Sequence, residues 1–284
     1  MTSHPKIAFF GTPSVASETL EHMISSGFVP SLVITGEDKK VGRHFTLTKT
    51  PTRIVAEKNN IPVLTPEKLD DTFFEELKKY DCEVFIVVAY GKIIPENIIK
   101  LPKLGTYNIH YSLLPRWRGA TPVESAILSD DKETGVTIQK MEYKLDSGDI
   151  ISTEKTNIQE TETTEELRKR LIEMGSKMLV RILPDIFGGS INPIKQDESL
   201  VTKCHKIKKE DADITNITDD RKKWLMYRAY FSWPRVYFMK DGKRYIVTSA
   251  TYKNARSDDE VGRGTFIIER VIPEGKKETD FSNI

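Results

Sequence analysis

Residues 83–89 read EVFIVVA, and this unbroken apolar run decides the fold. Such runs are typical of a central parallel strand, which helices cover on both faces. A second run, KIAFF at 6–10, predicts another buried strand, and the segment Ser14–Ser25 after it predicts a helix. Apolar residues spaced by three or four over 164–187 predict a long helix. Strands alternating with helices in this way indicate an open, mostly parallel α/β sheet.

The rest of the chain extends this pattern and then changes character. Further strands are predicted at 32–34, 107–110, 135–141 and 149–156. Glycine, asparagine and proline then cluster near residue 190 and predict a linker at 188–203. After the linker we expect a helix at 218–230, a hairpin that turns at the Asp-Gly pair 241–242, and a strand at 264–272. The sequence therefore predicts two domains, 1–187 and 204–284, the second small and mostly β.

Charge and hydropathy exclude several classes of protein. The 284 residues carry 43 Lys and Arg against 42 Asp and Glu, which excludes a uniformly basic nucleic-acid coat. Residues 204–284 are nevertheless modestly basic, with 17 basic and 13 acidic side chains. No apolar run approaches the roughly 20 residues that span a bilayer, and the N-terminal stretch does not have the pattern of a signal peptide. We therefore expect no membrane partner and a cytoplasmic location.

Several common functional sites have no counterpart in the sequence. The dinucleotide motif G-x-G-x-x-G, the P-loop and the nucleophile elbow G-x-S-x-G are all absent. The five histidines lack the spacing of a metal site, and we expect no bound metal. Two cysteines, Cys82 and Cys204, are too few for a disulfide framework. Cys82 borders an apolar strand, and we expect it to be a small core residue.

The stretch 108–119, NIHYSLLPRWRG, carries the strongest candidate for chemistry. Asn108 and His110 lie two residues apart in a predicted strand, so their side chains share one face of the sheet. The loop that follows places this face at the carboxyl edge, where open α/β folds bind ligands. The pair suits acyl transfer, because an imidazole can move a proton and an amide can donate to an oxyanion. The alternative is a structural histidine beside a turn-forming asparagine.

Two loops supply further candidate residues. Asp146 lies in LDSGD at 145–149, where it could orient a histidine or hold a water molecule. The alternative for Asp146 is ordinary turn chemistry. The polar loop at 36–50 is long enough to be functional or disordered, and its cations could contact phosphates. These cations are Lys39, Lys40, Arg43 and Lys49, and the alternative is a solvated surface loop.

Four motifs together resemble the methionyl-tRNA formyltransferase family. They are FFGTP at 9–13, VVAYG at 87–91, the stretch 108–122, and LDSGD at 145–149. The same set of residues occurs in the enzymes that formylate glycinamide ribonucleotide and amino sugars. The resemblance covers about residues 5–187. Segments at 207–214, 228–234 and 273–277 resemble the C-terminal part of the tRNA enzymes, which the glycinamide enzyme lacks.

This resemblance implies a Rossmann-like formyltransferase fold with a second, smaller OB-like β domain. It implies that residues 1–187 bind 10-formyltetrahydrofolate, that 188–203 form a linker, and that 204–284 help to bind tRNA. The reaction would transfer the formyl group to the methionine amine of initiator Met-tRNA, in a monomeric cytoplasmic enzyme. The implied catalytic residues are Asn108, His110 and Asp146. The donor would contact Val88, Ala89, Tyr90, Ser112, Leu113, Leu114 and Pro115, and the tRNA would contact Lys39, Lys40, Arg43 and Lys49.

The chain departs from the family pattern in two places. His44 follows Arg43 where the family has glycine. The chain between 252 and 264 is also short, and for this reason we expect a reduced or partly open β module. One alternative function is an amino-sugar nucleotide N-formyltransferase, which the basic surplus after residue 203 disfavours. Another is a catalytically silent RNA-binding protein, which the intact set of amide, imidazole and carboxylate disfavours.

Overall fold

A computed structural model describes residues 4–41, 46–253 and 264–284. The chain divides into two compact units. The first unit comprises Met1–Arg118, Gly135–Lys155 and Arg170–Thr202, and the second comprises Gly119–Thr134, Thr156–Lys169 and Lys203–Ile284. Two segments from the first 187 residues therefore group with the C-terminal part. The functional domains predicted from the sequence, 1–187 and 204–284, stay a prediction.

The described residues form the following strands and α-helices. The strands are Ile7–Gly11 (β1), Leu32–Ile34 (β2), Lys39–Val41 (β3), Thr46–Thr48 (β4), Val63–Leu64 (β5), Val84–Val88 (β6), Thr106–His110 (β7), Arg118–Gly119 (β8), Glu133–Lys140 (β9), Ile150–Asn157 (β10), Lys203–Cys204 (β11), Tyr237–Lys240 (β12), Lys243–Lys253 (β13), Thr265–Pro273 (β14) and Thr279–Asp280 (β15). The α-helices are Ser14–Ser25 (α1), Pro51–Lys58 (α2), Asp71–Lys78 (α3), Glu96–Ile99 (α4), Pro122–Leu128 (α5), Thr164–Gly188 (α6) and Asp220–Ala229 (α7).

Seven of the described strands form one sheet in the order β10-β9-β7-β6-β1-β2-β5. β6 pairs in parallel with β1 and β7, and β2 pairs in parallel with β1 and β5. β7 and β9 are antiparallel, so the sheet is mixed on that side. The predicted Rossmann-like, mostly parallel architecture is confirmed.

The centre of this sheet is apolar, as its sequence requires. All five residues of β1 and all five of β6 are buried, and Cys82 before β6 is buried as predicted. Burial raises the pKa of the Cys82 thiol to about 11. Gly11 is the last residue of β1. A Cβ at this position would lie 2.5 Å from the Cβ of Ala16 in α1. The strand and its helix can therefore approach closely only with glycine at the turn.

The first two helices start at or next to a proline, and part of the predicted polar loop forms two paired strands. Pro51 opens α2, and the Thr50 hydroxyl caps it by accepting a hydrogen bond from the backbone N–H of Arg53, at 3.2 Å. Ser14 is the first residue of α1, and Pro13 takes the cap position. The loop at 36–50 contains a hairpin of β3 and β4, because β-branched valine and threonine there pair across two short strands.

The second unit contains a small antiparallel sheet in the order β12-β13-β14-β15. β12 and β13 pair on either side of the predicted Asp-Gly turn, at residues 241–242. α7 packs on β13 and β14, and the Trp224 ring stacks on Tyr227 and Tyr252, with ring centroids 5.6 and 6.0 Å apart. The predicted second, small β domain is confirmed.

Candidate active site

β7 places two of the predicted catalytic side chains on one face of the first unit's sheet. In the register with β9, Asn108 lies opposite Gln139 and His110 lies opposite Thr137. Directly opposed residues project to the same side, so these four side chains line one surface. Asn108 is half-buried, and within residues 4–41, 46–253 and 264–284 its side-chain amide has no hydrogen-bond partner. This amide is therefore available to a substrate oxygen.

His110 is held between two oxygen acceptors. Its Nε2 lies 2.9 Å from the carbonyl oxygen of Trp117, and its Nδ1 lies 3.6 Å from Oδ1 of Asp146. A carbonyl oxygen can only accept, so Nε2 carries a proton. Only the doubly protonated ring also presents a donor to Asp146. The contact with Asp146 is longer than a direct hydrogen bond and short enough for an ion pair.

The loop that carries Asp146 is set against β9 by side-chain amides. Gln139 donates from Nε2 to Oδ1 of Asp146 at 3.0 Å, and its Oε1 accepts from the backbone N–H of Gly148 at 3.1 Å. Asp146 has a φ of +50°, in the left-handed region. A Cβ on Gly148 would lie only 1.7 Å from the carbonyl oxygen of Lys140, so this turn requires glycine.

A buried arginine supports the same loop through a second glutamine. Gln196 donates from Nε2 to the carbonyl oxygens of Asp146 and Gly148, at 2.9 and 2.7 Å. Arg118 donates to Oε1 of Gln196 from Nε and Nη2, at 3.0 and 2.8 Å. It also pairs with the exposed Glu198 at 2.8 Å, and this hydrogen bond lowers the pKa of Glu198. The carboxylate therefore sits on a fully bonded polar support.

The loop after β7 is anchored on β9. The hydroxyl of Thr137 donates to the carbonyl oxygen of Ser112 at 2.7 Å and accepts from the backbone N–H of Leu114 at 3.2 Å. Ser112 donates from Oγ to the carbonyl oxygen of Arg116 at 2.6 Å. The predicted donor-binding residues Ser112, Leu113, Leu114 and Pro115 are thus held beside the face that carries Asn108 and His110.

The carboxyl end of β6 presents mainly backbone. Val88 and Tyr90 are buried, and Ala89 between them is exposed with a φ of +45°. The Tyr90 ring packs edge-on against Phe10 in the core, and burial raises the pKa of its hydroxyl to about 12. Its carbonyl oxygen accepts from the Thr12 hydroxyl at 2.9 Å. Of the three predicted residues here, only Ala89 offers an exposed side chain.

The predicted tRNA-binding cations lie in and around the β3–β4 hairpin. Lys39 is exposed, whereas Lys49 pairs with Glu57 at 2.6 Å. The side chain of Lys40 and all of Arg43 lie outside the described residues.

Within the described part of the chain, no group of three or more His, Cys, Asp or Glu side chains is arranged to hold a metal ion. No helix in residues 4–41, 46–253 and 264–284 is both long and apolar enough to cross a membrane.

Other proteins are similar to this chain in sequence, and the similar region includes the segment that carries the candidate site. Residues 5–183 match the formyl transferase family. A methionyl-tRNA formyltransferase from Thermotoga maritima is 40% identical over 230 residues, which cover 81% of this chain and 74% of that protein. Another, from Caldicellulosiruptor saccharolyticus, is 36% identical over 92% of this chain and 84% of its own length. The chain belongs to the methionyl-tRNA formyltransferase family. The resemblance inferred from the four motifs is confirmed.

Solved structures of other proteins share the fold of this family member. An N-formyltransferase from Helicobacter canadensis, in complex with folinic acid and dTDP-3-aminofucose, aligns with a TM-score of 0.66 at 18% identity, covering 93% of this chain and 98% of that one. HypX from Aquifex aeolicus, in complex with tetrahydrofolic acid, aligns with a TM-score of 0.68 at 17% identity. It covers 99% of this chain and 47% of its own. At these identities the likeness concerns the fold alone.

The structure brings together the predicted catalytic residues Asn108, His110 and Asp146, whose roles stay a prediction, and sequence reasoning missed the side chains that hold them in place. Gln139 gave a usable signal, because it alternates with Thr137 on a predicted strand and so shares its face. Gln196, Arg118 and Thr202 gave none, since their partners lie far along the chain. Trp117 was quoted only as part of a motif, yet its carbonyl oxygen orients His110.

Proposed function

We propose that this chain transfers the formyl group of 10-formyltetrahydrofolate to the methionine amine of initiator Met-tRNA, giving N-formylmethionyl-tRNA. The observation that carries the proposal is the approach of His110 to Asp146, on the sheet face that also carries Asn108, in a methionyl-tRNA formyltransferase family chain. An amide, an imidazole and a carboxylate in this arrangement can stabilise an oxyanion and move a proton, as acyl transfer requires.

Asn108 and His110 act on the oxygen of the formyl group. As the methionine nitrogen adds to the formyl carbon, negative charge develops on this oxygen. The Asn108 amide donates a hydrogen bond to it, and the His110 ring on the same face of the sheet helps to stabilise it. The Trp117 carbonyl and Asp146 fix the ring, so the enzyme need not reorganise during the reaction.

Asp146 handles the proton that the reaction displaces. The attacking amine loses a proton when its bond to the formyl carbon forms, and the folate nitrogen gains one when its bond to that carbon breaks. The Asp146 carboxylate moves this proton through a water molecule while keeping His110 oriented. The hydrogen bond from Gln139 to Oδ1 helps to hold the carboxylate in place for this task.

The residues at the carboxyl ends of β6 and β7 fit a reduced folate. The pterin needs backbone donors and acceptors with apolar walls, and exposed backbone at Ala89 and the anchored loop 112–115 supply both. The folate donor supplies an activated formyl carbonyl group. The predicted contacts with Val88, Tyr90 and the loop residues are through the main chain or the pocket wall.

The tRNA contacts are proposed for the hairpin cations and the second unit. Lys39 is exposed and can reach a phosphate, and Lys40, Arg43 and Lys49 complete the set expected from the sequence. Residues 204–284 contribute the basic surplus that would help to hold the RNA. We further infer that the enzyme is a monomer and acts in the cytoplasm.

The test supplies the purified chain with 10-formyltetrahydrofolate and one of two acceptors. We expect formylation of initiator Met-tRNA and no formylation of an amino-sugar nucleotide. Uncharged initiator tRNA serves as the control, because it lacks the amine. Formylation of the amino-sugar nucleotide but not of Met-tRNA would overturn the proposal in favour of the alternative function.

A further inference from the structure

The segment 194–202, which the sequence places in a linker, is bonded to both loops of the site. Ile194 exchanges two backbone hydrogen bonds with Ile150, at 2.7 and 2.9 Å, just after the Asp146 loop. At its other end, Thr202 accepts from the backbone N–H of Arg118 at 2.9 Å and donates its own N–H to Pro115 at 3.3 Å. One short segment therefore joins the two loops that carry the contacts of His110.

Gln196 is the contact of this segment with the Asp146 loop. Its amide nitrogen donates to two carbonyl oxygens in that loop, those of Asp146 and Gly148. Its amide oxygen accepts twice from Arg118, whose side chain is 3% exposed. Because the amide is fully bonded, it cannot rotate without breaking several bonds, and it fixes the loop in its left-handed turn at Asp146.

Thr202 is the contact with the loop on the other side of His110. Its hydroxyl accepts from the backbone N–H of Trp117 at 2.9 Å. Trp117 has a φ of +63°, which non-glycine residues rarely adopt, so this backbone needs such support. The carbonyl oxygen of Trp117 in turn holds Nε2 of His110. Thr202 therefore acts on the orientation of the imidazole through one residue, Trp117.

We propose that Gln196 and Thr202 are positioning residues that together set the geometry between His110 and Asp146. Gln196 places the carboxylate and Thr202 places the ring, so each acts through another residue. This inference rests on the proposed function, since its readout is formyl transfer. A misplacement of about 1 Å in a catalytic group can lower a rate by about a hundredfold.

The first experiment replaces Gln196 while keeping its bond to Arg118. Gln196→Glu retains the acceptor for the guanidinium, but it loses both donors and turns an oxygen toward two carbonyl oxygens. We expect kcat for Met-tRNA formylation to fall by about tenfold to a hundredfold, with KM for Met-tRNA within about twofold of wild type. Ser199→Ala is the matched control: it removes a hydrogen bond to Asp197 in the same segment without touching either loop. It should keep the wild-type kcat.

A double-mutant cycle separates positioning from a general structural role. If Gln196 acts through Asp146, Gln196→Glu should change kcat by less than about twofold in an Asp146→Asn background. A loss of the same size in both backgrounds would overturn the inference. Folded fraction is measured by circular dichroism for every variant, and a fall in kcat that only follows this fraction would also overturn it.

The second experiment tests Thr202 by shape and by rescue. Thr202→Val keeps the branched shape and removes the hydroxyl acceptor for Trp117, so we expect kcat to fall by about tenfold. Thr202→Ser restores the hydroxyl and should restore at least half of the wild-type kcat. Wild-type kcat in both Gln196→Glu and Thr202→Val would overturn the inference. Failure of the wild-type chain to formylate Met-tRNA would overturn the proposed function instead.

Discussion

Arg118 and Arg228 are both almost fully buried, one in each unit, and they bind different kinds of acceptor. Arg118 donates to a side-chain amide, that of Gln196, which holds the Asp146 loop. Arg228 donates to two backbone carbonyl oxygens, those of Glu162 and Gln159, at 2.8 and 2.6 Å. Burial lowers the pKa of Arg228.

Because their acceptors differ, we expect one buried arginine to support the stability of its unit and the other to support the candidate site. Both side chains are 3% exposed or less, so each must have its donors satisfied. The acceptors of Arg228 belong to the main chain of the second unit, so its removal should act on stability. The acceptor of Arg118 is Gln196, which donates to the backbone carbonyl oxygen of Asp146, so removal of Arg118 should act on rate.

The largest expected effect is a fall in kcat when a predicted catalytic residue of the first unit is replaced. Replacing Asn108 or His110 by alanine removes a group that we propose stabilises the oxyanion. We expect kcat to fall by about 10²–10³ for Asn108→Ala and by about 10²–10⁴ for His110→Ala. Thermal unfolding followed by circular dichroism should show a folded protein in both cases. Near wild-type rates in both variants would remove the assigned roles.

The next largest effect concerns stability in the second unit. Arg228→Met leaves the carbonyl oxygen of the buried Glu162 without this donor, and an unsatisfied buried group costs about 1–3 kcal/mol. We expect a clearly lower Tm by calorimetry and an unchanged kcat per folded molecule at a temperature where the variant is folded. A wild-type Tm would show that Arg228 is not a structural tie.

Arg118→Met is the matched change in the first unit. It leaves Gln196 without its two donors, so the amide can turn away from Asp146. We expect kcat to fall by about tenfold or more, with a smaller loss of Tm than in Arg228→Met. The comparison between the two arginines fails if Arg118→Met lowers Tm more than Arg228→Met and leaves kcat unchanged.

The smallest effect is a pH-dependent ion pair in the second unit. Burial raises the pKa of Asp130, but hydrogen bonds from Arg221 and Lys132 outweigh it, so the pKa is lowered from 3.8. A lowered pKa means that the pair stabilises the fold above pH 3.8 and loses this effect as pH falls further. We expect Asp130→Asn to cost less than about 1 kcal/mol at pH 7, because the pair is partly exposed. The difference in Tm from wild type should shrink below pH 3.8, and a constant difference down to pH 3 would contradict this.

The apolar strands could be predicted because their signal is local. The run at 83–89 contains β6 and the run at 6–10 overlaps β1, since buried parallel strands need apolar residues on both faces. The β3–β4 hairpin was not predicted, because each strand has only three residues with a single apolar one among them, and its register depends on pairing. Local composition therefore reveals buried strands better than exposed ones.

The site was predictable only where its residues lie close in sequence. Asn108 and His110 share a face through the two-residue period of one strand, which the sequence displays. The bond between Gln196 and Asp146 spans 50 residues, and no periodicity relates the two positions. Trp117 and Thr202 are 85 residues apart. Such long-range polar contacts arise from the packing of loops, which single-residue propensities do not contain.

We propose that Asp146 and His110 act together on formyl transfer to Met-tRNA. It is tested most directly by single-turnover transfer of a labelled formyl group from 10-formyltetrahydrofolate to initiator Met-tRNA, with wild type and Asp146→Asn compared at equal folded fraction. We predict label in the tRNA with wild type and a rate at least about a hundredfold lower with Asp146→Asn. Transfer by Asp146→Asn at the wild-type rate would contradict the claim.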